Sequence, residues 1–246
     1  MEENAQRQLG LAADLIGTAA GVFLDQKGLV GSGIGSIVGV GIAGVIKEMA
    51  ARAYTLRQKN RIRTALDIAQ ERIGTQLIAG HIVRADDFFA ERDLGQSNGS
   101  QLLESTLVKV STTFQEKKIR HIGLFYANLI FADYISAETA HMLLSQLERM
   151  SYRQYALLAL LGKVQTLDVE RLRRPSHEDP ELAALKREEM DLHASDLGTG
   201  GLIEGDGPWV DKLSTLGKVI FDLAGLSEFD ADDLAKLCEQ LSFSNQ

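Results

Sequence analysis

Hydrophobic and polar positions divide the chain into three stretches. Residues 15–24 and 28–46 are two runs without a charged side chain, and Asp25, Gln26, Lys27 and Gly28 form the turn between them. The second run has nineteen residues. As a helix it would be about 28 Å long at ~1.5 Å per residue, close to the hydrocarbon thickness of a bilayer. From residue 49 to 79 the pattern becomes amphipathic, with Ile62, Leu66, Ala69, Ile73 and Leu77 at three- and four-residue steps. That spacing predicts one continuous helix. Residues 84–87 read as a turn and residues 95–99 as a glycine-bearing loop. Ser100 is then the expected N-cap of a helix carrying Leu102, Leu103, Leu107 and Val110. A further helix is expected over 116–134, followed by helices near 137–150 and 152–163 with Ser136 and Ser151 as caps. Short loops between these helices favour antiparallel packing.

The last third has a different character. Residues 166–180 are charged and hold Pro175 and Pro180, two of the three prolines. Proline suits a first helical turn, so a helix should run from Pro180 to about His193. Residues 201–210 contain two short apolar strands around a Gly-Asp-Gly turn, the pattern of a hairpin. A helix from Ser214 or Thr215 to Ala224 follows, and a last one spans about 231–241 with Asp230 as N-cap. The expected fold class is mainly α. It has a glycine-zipper helical hairpin at 1–46, a helical bundle at 47–165 and a charged linker or helix at 166–190. A small acidic α+β domain occupies 191–246.

The glycines sharpen the reading of the first stretch. Gly31, Gly35 and Gly39 lie four apart, Ala43 continues the row, and Gly17 and Gly21 repeat the spacing. Such residues share one helix face and let a second helix approach closely, as small-xxx-small faces do in lipid. In water that many glycines would cost a helix about 0.5–1 kcal/mol each, so their density needs a packing reason. A basic flank follows: Lys47, Arg52, Arg57, Lys59, Arg61 and Arg63, with Glu48 the one acid before Asp67. Positive charge at the end of a membrane helix marks its cytoplasmic side, so these six residues are the candidate lipid-facing flank. The same glycine row also fits a buried hairpin in a soluble protein. Residues 39–44 match G-x-G-x-x-G, but no second strand and acid follow, as a dinucleotide site requires.

Charge and composition remove other classes. The net charge is −8, against general affinity for nucleic acid. The single cysteine, Cys238, cannot form an intramolecular disulfide. The acidic start, with Asp14 interrupting the apolar run after Arg7, argues against a cleaved signal. His81, His121, His141, His177 and His193 show no zinc-ligand spacing, and no nucleophile elbow or Walker loop is present. No cofactor, metal or catalytic residue is therefore expected. Asp86 and Asp87 read as acids at a helix N-terminus. Lys117, Lys118, Arg120 and His121 read as a solvated helix face, and Tyr126, Tyr134, Tyr152 and Tyr155 as core or interface.

Two resemblances add to this. Asp196-Leu197, Gly201-Leu202-Ile203 and Lys212-Leu213-Ser214-Thr215-Leu216-Gly217 resemble the end of a winged-helix domain, where a helix runs into a strand, a wing and a further helix. That implies a small winged-helix-like fold. Eleven acids against three lysines in residues 191–246 point it toward protein rather than DNA. The overall layout, a short hydrophobic module joined to a helical body, resembles small membrane effectors of bacterial anti-phage defence systems. The resemblance implies a membrane-associated effector or anchor at the cytoplasmic face of the inner membrane, working as a homo-oligomer or with a protein partner. A soluble cytoplasmic adaptor with its glycine segment buried in a complex is the alternative, and a winged-helix transcription regulator is the third reading.

Overall fold

The computed structural model describes residues 54–90, 96–163, 180–204 and 212–240, together with positions 45, 48, 49 and 52. The chain is mainly helical: eight α-helices and one two-stranded sheet lie among the described residues. They divide after Glu148 into two compact units.

The first unit contains α1 (Leu56–Ile78), a 3-10 turn at Asp87–Phe89, α2 (Asn98–Thr112), α3 (Lys118–Leu129) and most of α4 (Ala137–Arg149). The centre is α3, whose Ile119, Ile122, Leu124, Phe125, Tyr126 and Leu129 are buried on several sides at once, as expected of a helix apolar around most of its circumference. Helix α1 lays Ile62, Ala65, Leu66, Ala69 and Ile73 against the core. Gly123 is the contact point, since a Cβ there would lie 2.9 Å from the Ala65 carbonyl oxygen. Further along both helices the Arg72 guanidinium donates to the Asn128 side-chain oxygen at 2.7 Å, so α1 and α3 run parallel. Helix α2 runs the other way: Arg61 near the start of α1 reaches the Ser111 carbonyl at its C-terminal end, and the Tyr126 hydroxyl donates to the Gly99 carbonyl at its start. Lys118 at the head of α3 reaches the Glu148 carbonyl at the tail of α4.

The second unit is built on α5 (Tyr152–Lys163), with α6 (Pro180–Thr199), β1 (Ile203–Glu204), β2 (Lys212–Leu213), α7 (Thr215–Leu223) and α8 (Ala231–Gln240). The strands pair antiparallel, Ile203 opposite Leu213 and Glu204 opposite Lys212. Gly217 in the first turn of α7 lies directly on the Leu202 backbone, too close for any side chain. Tyr152 stacks on Phe229 with ring centroids 4.9 Å apart, and its hydroxyl donates to Asp233 at 2.8 Å.

Several expectations change here. The helix from 49 to 79 is not continuous. Arg52 sits in a bend, and Thr55 starts α1 with a capping box: its hydroxyl accepts from the Gln58 N–H, and the Gln58 side chain accepts from the Thr55 N–H. The N-cap of α2 is Ser97 rather than Ser100, which is the third helical residue and closes the box from inside. Gly99 is thus helical, and its bare Cα leaves room for the Phe89 ring. Helix α3 is shorter than 116–134 and α6 longer than 180–193. The second strand falls at 212–213, after the Trp209-Val210 pair, which lies outside the described residues. Helix α5, expected in the bundle, belongs to the second unit. The caps at Ser136, Ser151 and Asp230 are as expected, and Ser214 caps the helix expected from Ser214 or Thr215.

Candidate functional site

Of the residues singled out by sequence, Arg57 and Arg61 meet at the end of the first unit where α1 and α3 begin and α2 finishes. Val45 and Met49, ahead of α1, are buried, Met49 completely. The Tyr54 hydroxyl donates to the Met49 sulfur at 3.5 Å. The Arg52 guanidinium bridges Glu48, one turn back at 3.0 Å, and Glu104 in the middle of α2. Hydrogen bonds to Glu48 and then Glu104 raise the Arg52 pKa above its ordinary value.

A second cluster closes the end. Glu116, in the loop between α2 and α3, accepts on one carboxylate oxygen from both Arg57 and Arg61, each at 2.8 and 3.0 Å. Arg61 also donates to the Ser111 carbonyl at 3.2 Å, and its side chain is only 8% exposed. Its guanidinium, followed by that of Arg57, holds the Glu116 carboxyl below the usual carboxylate range. Beside it the buried Lys118 ammonium donates to the Glu148 carbonyl at 2.6 Å, and Lys109 pairs with the Glu148 carboxylate. Burial lowers the Lys118 pKa while the charge of Glu148 opposes the shift.

The basic flank is therefore not one uniform face. Arg61 turns inward and Arg52 and Arg57 are paired with acids, whereas Lys59 is half-buried and Arg63 exposed. Gly17, Gly21, Gly31, Gly35, Gly39, Ala43 and Lys47 lie outside the described residues, as does the G-x-G-x-x-G stretch. The second basic cluster is also split: Lys118 and His121 are buried, Lys117 and Arg120 exposed. Burying Lys118 and His121 follows from the central place of α3, which leaves little solvent face. His141 is half-buried, and burial lowers its pKa. Asp86 does not cap the 3-10 turn through its side chain. It holds the buried Arg84 guanidinium in two hydrogen bonds of 2.7 and 2.5 Å, over the Phe88 ring. Tyr126 and Tyr155 are core, Tyr152 is partly buried, and Tyr134 is exposed.

Glu104, Glu116 and Glu148 were not singled out by sequence. Their partners are 39 to 59 residues away, and no local spacing marks such pairs. Among the described residues no group of His, Cys, Asp and Glu is placed to hold a metal ion, and no helix is long and apolar enough to cross a membrane. Comparison of the chain with protein-family models, curated proteins and solved structures finds no match.

Proposed function

We propose that this chain is a membrane-associated effector or anchor, without catalytic activity of its own, that acts through the glycine-rich segment at 15–46. The first helical unit is the body that holds the end of that segment. The reading draws on the nineteen-residue uncharged run with Gly31, Gly35 and Gly39 on one face. The observation that carries it is where the run leads: into Val45 and Met49, buried, and Arg52, fastened to Glu104. A segment tied to a folded body can be withheld or released by it. The small-residue face suits self-association, so a homo-oligomer or a partner helix completes the assembly. The layout resembles that of membrane effectors in bacterial anti-phage defence.

Fractionation of the full chain with an alkaline carbonate wash tests this. The wild type should remain in the washed membrane, and Gly35→Leu should lose membrane activity while the helical body folds unchanged. An unaltered membrane phenotype in Gly35→Leu removes the zipper from the mechanism.

The burial of Val45 and Met49 also favours a second reading, in which the glycine segment packs against protein in a soluble adaptor. A chain that stays in the supernatant without detergent selects that reading.

A further inference from the structure

The end of the first unit carries two large apolar side chains that nothing described covers. Phe114 in the loop after α2 is 91% exposed, and Leu56 at the head of α1 is 77% exposed. They belong to one surface: Arg57, next to Leu56, is bonded to Glu116, two residues from Phe114. Around them stand the exposed cations Arg57, Lys117 and Arg120. The one acid at their centre, Glu116, is held between two guanidinium groups. In a chain of net charge −8, this end is a cationic ring about two apolar anchors.

We infer that this end of the helical unit docks on an anionic lipid surface, with Phe114 and Leu56 inserted to the headgroup–acyl boundary. A second protein is the poorer fit. Two side chains expose far less than the ~800 Å² per partner of a stable protein interface. A bilayer asks only for shallow apolar insertion plus cations facing its headgroups. The surface bears on the membrane reading above but uses no residue of the glycine segment, so the two can fail separately.

The test uses the full chain carrying Phe114→Trp with Trp209→Phe, which leaves one reporter. It is added to phosphatidylcholine vesicles with or without phosphatidylglycerol. The expected result is a blue shift at position 114, with quenching by brominated lipid, on the anionic vesicles. Lys117→Glu with Arg120→Glu, or raised salt, should reduce it several-fold. Phe114→Asp, at a site too exposed to affect folding, should weaken partition about tenfold. If the chain sediments with vesicles while emission at 114 stays unshifted, this surface is not the contact, and the membrane reading stands alone. Failure to sediment with either vesicle overturns both. A shift that follows protein concentration without lipid assigns the surface to a second copy and overturns the inference.

Discussion

Replacing Gly123 by alanine would test the packing of α1 on α3. The new Cβ would lie 2.9 Å from the Ala65 carbonyl oxygen and 3.4 Å from the Ala65 Cα, both backbone atoms. No rotamer change can relieve that contact, so the two helices must part where Gly123 faces Ala65 and Ile68. Overpacking of this kind costs about 1–3 kcal/mol. Alanine also gains helix propensity of about 0.8–1 kcal/mol over glycine, which masks part of the loss. Gly74, on the same α1, supplies the control: a Cβ there meets nothing within 4 Å. Gly74→Ala should therefore stabilise by about 0.5–1 kcal/mol. Propensity cancels between the two variants, so their difference isolates the packing term at about 1–3 kcal/mol. Equilibrium urea unfolding of each full chain, followed by far-UV circular dichroism, measures it. Two variants equally stable to within about 0.5 kcal/mol would refute close approach at Gly123.

Glu104→Gln removes the acid that holds Arg52 on α2 and should raise amide exchange in residues 45–52 about two- to five-fold without affecting α3; unchanged rates would show that the bend is held by other contacts. Glu116→Gln should destabilise by about 0.5–1 kcal/mol at neutral pH, because two guanidinium groups lose an ionised acceptor that is itself half exposed to solvent. Since the folded Glu116 carboxyl titrates below its ordinary value of 4.5, its contribution is complete above that pH and disappears as pH falls through the lower folded value. Thermal unfolding of the two proteins should therefore converge in acid, and a gap that stays constant from pH 7 to pH 3 would refute the ion pair's part.

The elements that could be read from sequence were set by short-range chemistry. Ser136, Ser151, Ser214 and Asp230 cap helices because each hydroxyl or carboxylate reaches an N–H three residues on, a contact contained within four residues. Where tertiary packing overrides local preference, reading failed. Gly99 looked like loop because glycine is a poor helix former, yet α2 needs it where Phe89 presses in. Arg61 and Arg57 belong to the same basic row, but only Arg61 reaches the Ser111 carbonyl and turns inward. Nothing in the spacing of the cations distinguishes them, because the deciding partners lie on another helix. The break at Thr55 is of another kind: its capping pair with Gln58 is local, three residues apart, and the amphipathic pattern running through it concealed it.

The burial of Val45 and Met49 has a consequence for how firmly the junction is held. If they remain in the protein, residues 28–44 are the uncharged run left over, about 25 Å as a helix and at the short limit for a bilayer. Drawing them into lipid would exchange one apolar solvent for another, since hydrocarbon tails welcome a methionine about as well as a protein core does. The transfer term that dominates folding in water nearly vanishes for this exchange. What remains to keep the junction in place is polar, the Arg52 bridge and the Tyr54 hydroxyl on the Met49 sulfur, and of these the bridge weakens with ionic strength. Next to a membrane, the stability of this junction would become a question of salt rather than of hydrophobicity.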